Sequence, residues 1–198
     1  MGEGFANSWP GWLRAVLFPN LRRMNPYDWA EEFRELFEKS VLAYRGGKRD
    51  AGSLFSPKQK AFLATLGATP QEIFVFVEDH ARGGEPSLEA TLLVTAVRRD
   101  YFLFEQQGRW SQRVVAMASL PAKSAAVDGI AWLPRLIVKA RAKLRGEMPP
   151  ELMYGCGGDR PFLRGVNIHL ADFLRVVWAA GEDDRPVVEY VQRAMRGG

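Results

Sequence analysis

The chain has 198 residues, of which 47% are hydrophobic and 25% charged, so it can bury a sizeable core, and wholesale disorder is excluded. Its net charge of +4 is too small to indicate nucleic-acid binding, and a single cysteine excludes an intramolecular disulfide. No apolar stretch reaches the roughly 20 residues that cross a bilayer. We therefore expect a soluble cytoplasmic protein, peripheral at most to a membrane or a larger assembly.

Residues 1–27 form an N-terminal arm rich in tryptophan and arginine. Trp9 precedes Pro10, and Trp12, Arg14 and Phe18 lie in the short apolar stretch between Pro10 and Pro19. The other arginines of the arm follow this stretch, which is the reverse of a signal peptide. Three interpretations stay open: the arm packs on its own domain, it docks on a protein partner or a membrane surface, or it is a disordered tail.

From residue 28 onward the pattern predicts helices. Asp28 is expected to cap a helix whose apolar residues recur every three or four positions and which Gly46 ends. Ser56 and Thr69 are each followed directly by a proline. Gln or Glu stands at the third position after each hydroxyl residue, which predicts two capping boxes. Later helices are expected over 87–107, 128–145, 168–180 and 184–195, with a loop over 108–127 and a short turn near 160–165.

These elements predict an all-α fold with a compact helical domain over 28–198. The chain also aligns with itself at a shift of about 100 residues, without a gap from Leu36 to Glu89. Two interpretations are open: coincidence, or duplication of a four-helix unit. In the second, related halves over 28–91 and 128–195, joined by 92–127, pack about a pseudo-two-fold axis.

The loop over 152–161 holds the single cysteine between glycines and before a charged pair. A thiol becomes reactive near a helix N-terminus or a cation, and successive glycine N–H groups can hold an anion. The candidate residues are Cys156 as nucleophile and, for anion binding, Gly157, Gly158, Asp159 and Arg160. The alternative is a tight turn in which Cys156 is a small buried side chain and Asp159 caps a helix.

A cysteine nucleophile needs a base, and the chain has two histidines. His169 is the candidate because it follows the loop closely, although its position at a helix start also suits capping. Arg99 and Tyr101, in the cluster over 98–102, are candidates for an anion pocket, or members of an ordinary i,i+3 charge network. One cysteine and two separated histidines do not form a metal-ligand spacing, and no cofactor is predicted.

The predicted helix over 128–145 is basic. Arg135, Lys139 and Lys143 recur at intervals of four residues. The residues expected on its buried side are Leu136, Ile137, Ala140 and Leu144. We expect the basic side to be solvated, and binding of an acidic or phosphate-rich partner is the alternative.

Four segments carry a resemblance to a known family: WLPR at 132–135, KARAKLRGE at 139–147, LMYGCGGDR at 152–160 and RRDYF at 98–102. On these segments the chain resembles a bacterial family described as domain of unknown function 5069. The resemblance implies a soluble bacterial protein. It carries over no catalytic residues, because no activity is assigned to that family.

Two functions are compatible with these patterns. The first is a non-catalytic accessory or binding protein that docks on a partner through the arm and the basic helix, or that holds a small anion near the loop. The second is a small enzyme in which Cys156 is the nucleophile, Arg160 or Arg99 holds an anionic substrate and His169 is the base. We favour the first, because no base with an orienting partner is evident around the thiol.

Overall fold

A computed structural model describes residues 28–197 of the chain. The predicted arm residues Trp9, Trp12, Arg14 and Phe18 lie outside the described residues. Within them the chain is mostly helical, and its strands are limited to one small hairpin. The predicted helical fold class is therefore confirmed.

The described residues contain nine α-helices and one hairpin. In chain order the helices are α1 (Trp29–Arg45), α2 (Ala51–Leu54), α3 (Pro57–Thr65), α4 (Pro70–Gly83), α5 (Leu88–Phe104), α6 (Leu133–Arg145), α7 (Asp159–Gly165), α8 (Leu170–Ala180) and α9 (Arg185–Gly197). A 3₁₀ turn, Met117–Ser119, and two antiparallel strands, β1 (Ala126–Val127) and β2 (Ile130–Ala131), lie between α5 and α6.

Both predicted capping boxes are present. The Ser56 hydroxyl accepts the N–H of Gln59 at 3.3 Å, and the Gln59 side chain accepts the N–H of Ser56 at 2.8 Å. Thr69 and Glu72 repeat this exchange at 3.1 and 2.8 Å at the start of α4. Asp28 occupies the N-cap position of α1, as predicted, but its side chain accepts no capping hydrogen bond.

The start of α6 differs from the predicted one at residue 128. Asp128 and Gly129 have positive φ angles of 50° and 77° and form the two-residue turn between β1 and β2. An Asp-Gly pair is favoured there because such turns need φ > 0 at both central residues. The helix consequently begins only at Leu133, immediately after the hairpin.

The core lies around α5 and α8. Helix α5 packs against α1, α6 and α8, and helix α8 packs against α6 and α9. The predicted buried side of α6 is confirmed, since Leu136, Ile137, Ala140 and Leu144 are at most 2% exposed. Burial of this apolar surface is the main force that assembles the helices.

The predicted arrangement of two related halves about a pseudo-two-fold axis is not shown by the structure and stays a prediction, as do the boundaries of the halves. Within residues 28–197, no helix is both long and apolar enough to span a bilayer.

A pair of glycines tests how tightly the turn between α3 and α4 is packed. Gly67 and Gly84 both have left-handed φ angles, 64° and 74°. A Cβ atom on Gly67 would lie 2.5 Å from the Phe102 ring, whereas one on Gly84 would meet nothing within 4 Å. Gly67→Ala is therefore expected to lower the unfolding free energy by about 2–5 kcal/mol and Gly84→Ala by about 1–2 kcal/mol. Urea denaturation measures both, and equal losses would contradict this packing.

Candidate functional site

Asp159 is the centre of the cysteine loop. Its side chain is fully buried, and its carboxylate accepts four hydrogen bonds. Oδ2 accepts from the Lys139 ammonium at 2.5 Å, from the Gly155 N–H at 2.8 Å and from the Cys156 N–H at 3.3 Å. Oδ1 accepts from the Trp132 indole at 3.0 Å. A buried carboxylate needs such partners, because desolvation of an unpaired charge is very costly.

The loop backbone folds around this carboxylate and leads into α7. The Cys156 carbonyl accepts the N–H groups of Asp159 and Arg160 at 3.0 and 3.1 Å. Asp159 is the first residue of α7 rather than its cap. Its carboxylate accepts hydrogen bonds from loop residues that precede the helix and so holds the loop in place. The sequence-based alternative of a tight turn had instead predicted that Asp159 caps the helix.

The glycines of the loop have different roles. Gly155 is buried with a φ of 79°, and a Cβ there would press on Leu170 at 3.3 Å. A Cβ on Gly158 would lie 2.4 Å from the Trp132 ring, so only glycine lets the indole reach Asp159. Gly157 is exposed, and a Cβ there would meet nothing within 4 Å. Packing explains two of these three glycines.

Cys156 is half-buried and has one strong polar neighbour. Its Sγ lies 3.2 Å from the Lys139 Nζ, which also contacts Asp159. The Lys139 side chain is only 2% exposed, so the ammonium is enclosed between the thiol and the carboxylate. Sequence reasoning named Arg160 as the nearby cation and missed Lys139, which precedes the cysteine by 17 residues.

His169 lies at the exposed N-terminus of α8. Its Nδ1 accepts the N–H of Ala171 at 3.1 Å, which is a capping hydrogen bond. Among the described residues, no hydrogen bond joins His169 to Cys156. The role of His169 as a catalytic base stays a prediction.

Arg160 connects the cysteine loop to α4. Its guanidinium donates to Asp79 at 3.0 Å and to the Gly155 carbonyl at 2.6 Å, and its Nε lies 3.6 Å from Glu85. Two carboxylates therefore already compensate its charge. Arg160 therefore has protein partners where the sequence predicted an anion, and its role in anion binding stays a prediction.

The predicted anion ligands on α5 have other neighbours. The Arg99 guanidinium lies over the Trp29 ring, 5.1 Å from its centroid, and 3.4 Å from the Asp100 carboxylate. Tyr101 packs edge-on against Trp178, with ring centroids 5.5 Å apart. Neither side chain contacts the cysteine loop, so the structure does not bring these residues together with Cys156.

A second buried ion pair lies one turn further along α6. The Lys143 ammonium donates to Glu72 at 3.1 Å and lies 5.3 Å from the centroid of the Phe76 ring. Burial alone would raise the pKa of Glu72, but the charges of Lys143 and Arg98 and the N–H of Thr69 lower it below its ordinary value. This carboxylate therefore stays charged inside the protein.

A third buried cation, Arg98 of α5, lies against the C-terminal end of α6. Its side chain is 0% exposed and donates to the Leu144 carbonyl at 2.8 Å and to the Gln106 side chain at 2.7 Å. Burial lowers the pKa of Arg98 to about 10, and the Glu72 charge acts in the opposite direction. A cation is favoured there because the last carbonyls of a helix carry partial negative charge.

The expectation of a solvated basic side on α6 is wrong for two of its three residues. Lys139 and Lys143 are at most 2% exposed and face buried carboxylates. Arg135 donates to the Pro121 carbonyl at 2.7 Å. The basic residues of this helix are therefore largely committed to contacts inside the protein.

An open groove of about 310 Å³ lies between α1, α4 and α5. Its lining residues are Phe37, Glu38, Val41, Leu42, Arg45, His80 and Leu88. Phe37 and Val41 form a buried apolar floor, whereas Leu42 is 67% exposed. Sequence reasoning missed this groove, although Leu42 interrupts the polar side of an otherwise amphipathic helix.

Within residues 28–197, no cluster of His, Cys, Asp and Glu is placed to hold a metal ion.

Breaking the buried Lys139–Asp159 pair is expected to lower the stability of the fold. Asp159→Asn keeps the shape of the side chain but leaves the Lys139 ammonium without a countercharge. We expect the unfolding free energy to fall by about 3–5 kcal/mol, as for other broken buried pairs. The matched control is Glu35→Gln, which breaks an exposed pair with Lys39 and should leave stability nearly unchanged. Similar effects of the two substitutions in urea denaturation would contradict the assigned role.

The lowered pKa of Glu72 predicts how stability depends on pH. Since the folded protein binds this proton less tightly than the unfolded chain, Glu72 stabilises the fold above its unfolded pKa of about 4.3. That stabilisation is lost as the pH falls through the lower folded value. Glu72→Gln should therefore be less stable near neutral pH and lose less stability between about pH 5 and pH 2. Parallel pH profiles for the two proteins would refute this assignment.

Comparison with known proteins found a family match for part of the chain. No curated protein and no solved structure matches it. A family described as "Domain of unknown function (DUF5069)" matches residues 119–197, which include α6, the cysteine loop and α7 to α9. The resemblance expected from the sequence is thus confirmed for residues 119–197, which match the model of this family.

Proposed function

We propose that the protein is a non-catalytic binding protein and that it docks on a protein partner through the groove between α1, α4 and α5. The observation that carries this proposal is a contrast between two parts of the molecule. The polar groups of the cysteine loop are occupied by one another, whereas the groove leaves apolar surface open to solvent.

The loop offers little for a small anion to bind. The Arg160 guanidinium already contacts Asp79 and the Gly155 carbonyl, and Asp159 accepts the N–H groups of Gly155 and Cys156. An incoming anion would have to displace these carboxylates. This supports a protein partner over a small anion as the ligand.

The groove has the composition of a peptide-binding surface. Its floor is apolar, and its lining also includes Glu38, Arg45 and His80. Amphipathic segments commonly bind such grooves by inserting apolar side chains spaced three or four residues apart. The partner that fits best is an apolar segment with a basic side chain that can reach Glu38, which forms no ion pair within residues 28–197.

Leu42→Gln tests this function because Leu42 is 67% exposed and its replacement should not disturb the core. A partner is first identified by affinity capture with the full chain, and its affinity is then measured between the two purified proteins. We expect Leu42→Gln to weaken binding at least about tenfold, which corresponds to about 1.4 kcal/mol. Leu93→Gln, on the exposed side of α5, is the matched control and should bind like wild type. Equal affinities of wild type and Leu42→Gln would refute the proposal.

A cysteine-dependent enzyme that acts on an anionic substrate is the second candidate. One observation favours it: the Lys139 ammonium lies 3.2 Å from the Cys156 sulfur. A cation next to a half-exposed thiol is a feature of reactive cysteines. In such an enzyme Lys139 would be the charged residue next to the thiol, where the sequence had predicted His169 or Arg160.

The rate of Cys156 alkylation separates the two candidates. A binding protein with a half-buried thiol that accepts a hydrogen bond from Lys139 should react with iodoacetamide more slowly when folded than in urea at the same pH. An enzyme with an activated nucleophile should react faster when folded. Since the chain has one cysteine, the mass of the labelled protein reports this reaction alone. Faster labelling of the folded protein would favour the enzyme.

We also propose that the two predicted halves derive from a duplication. Two turns 100 residues apart support this. The N–H of Ala68 donates to the Leu63 carbonyl at 3.1 Å, and the N–H of Ile168 donates to the Leu163 carbonyl at 2.9 Å. Gly67 and Asn167 both have left-handed φ angles in these turns. Sequence profiles of the two halves, built from relatives, should align at this shift, and a failure to align would argue against duplication.

A further inference from the structure

We infer that the groove between α1, α4 and α5 binds α1 of a second copy of this chain, so that the protein forms a symmetric dimer. The inference names the partner of the groove and therefore rests on the proposed function. Its basis is one surface stripe of α1, formed by Glu38, Leu42 and Arg45, in which an apolar residue lies between opposite charges. We call these three residues the α1 stripe.

The α1 stripe lies on one exposed side of its helix. Its residues are spaced four and three positions apart, and residues at these spacings are neighbours on a helix surface. All three are exposed, and all three line the groove. Leu42 is 67% exposed, although the floor of the same groove is buried. The stripe is therefore apolar at its centre and charged at both ends.

The two charges of the stripe are not neutralised within the described part of the chain. Glu38 and Arg45 take part in no ion pair there, and about 10 Å of helix separates them. The remaining polar lining residue, His80, has its Nδ1 2.9 Å from the Pro86 carbonyl. Other charges of α1 are paired within the helix: Glu31 with Arg34 at 4.0 Å, and Glu35 with Lys39 at 2.7 Å. Glu38 and Arg45 are therefore the charges of the groove that remain for a partner.

A second α1 supplies the missing counterparts when the two helices run antiparallel. With a two-fold axis through Leu42, a residue four positions before Leu42 lies opposite one four positions after it. Glu38 is four positions before and Arg45 is three positions after, so their heights differ by about 1.5 Å. Because a two-fold contact is made twice, one dimer forms two Glu38–Arg45 ion pairs.

Leu42 is the apolar contact at the centre of this arrangement. On the axis, Leu42 of each copy enters the groove of the other, above the floor formed by Phe37 and Val41. Removing an exposed leucine from water is favourable. A parallel pair would instead place Glu38 against Glu38 and Arg45 against Arg45, and like charges repel. The charges thus favour the antiparallel pair.

One helix from each copy forms a small interface. Complexes that bury less than about 1,200 Å² in total are usually weak and transient. We therefore expect a dissociation constant of roughly 10–100 µM, with monomer and dimer in exchange. The mean mass should rise with protein concentration.

Sedimentation equilibrium of the full chain tests the dimer. We expect the mean mass to rise from that of one chain towards that of two between about 1 µM and about 1 mM. Leu42→Gln should weaken dimerisation at least about tenfold, since its leucine is buried twice in each dimer. The mass of one chain at the highest concentration would overturn the inference, as would a Leu42→Gln variant that dimerises like wild type.

Two charge reversals give the sharpest test, because the replaced side chains are exposed and the core should stay intact. Glu38→Arg and Arg45→Glu each put like charges together twice in a dimer of identical chains. Alone, each variant should dimerise at least about tenfold more weakly than wild type. An equimolar mixture should regain the affinity, since each reversed charge of one variant then faces an opposite charge on the other.

The matched control is Lys58→Glu, which reverses an exposed charge on α3 outside the groove and should dimerise like wild type. A mixture of the two reversals that associates no better than either variant alone would contradict the pairing of Glu38 with Arg45.

The outcomes separate this inference from the proposed function. If the full chain stays monomeric but Leu42→Gln weakens binding to a captured partner, the docking function stands and the inference fails. If the charge-reversed mixture dimerises but Leu42→Gln does not change the affinity for a captured partner, the inference stands. In that case docking of a different protein through the groove fails.

Discussion

The buried ion pair between Lys139 and Asp159 is the interaction on which the cysteine loop depends. Removing both charges from water costs several kcal/mol per ion, so the pair persists only with nearly complete hydrogen bonding. The Gly155 and Cys156 N–H groups and the Trp132 indole supply it. One carboxylate thereby joins α6, the loop and α7. The thiol lies at this joint, which explains its polar neighbour without requiring chemistry.

A second buried ion pair connects helices one turn further along α6. Lys143 pairs with Glu72, a carboxylate that also completes the capping box of α4, and Arg98 binds the end of α6. The cations of a basic helix are thus used to connect helices inside the protein. The DUF5069 match begins at residue 119 and contains the Lys139–Asp159 pair, whereas the groove over residues 37–88 lies outside it. The buried Lys139–Asp159 pair and the open groove therefore lie in different parts of the chain.

Features that depend on neighbouring residues were predictable, and features that depend on distant partners were not. The capping boxes at Ser56 and Thr69 and the buried side of α6 follow from local pattern. The burial of Lys139 does not, because lysines four residues apart look alike on a solvated helix and on one facing buried carboxylates. Its partner is 20 residues away, and that of Lys143 is 71 residues away. The hairpin was missed because its Asp-Gly turn was taken for a helix start.

Hydrogen exchange of the Gly155 amide tests the central claim most directly. This N–H is buried and donates to the Asp159 carboxylate at 2.8 Å. If the ion pair fixes the loop as part of the core, the amide exchanges only by global unfolding, and its exchange free energy equals that of the whole domain. Exchange through a local opening, with a free energy several kcal/mol lower, would show that the loop moves independently and would contradict the account.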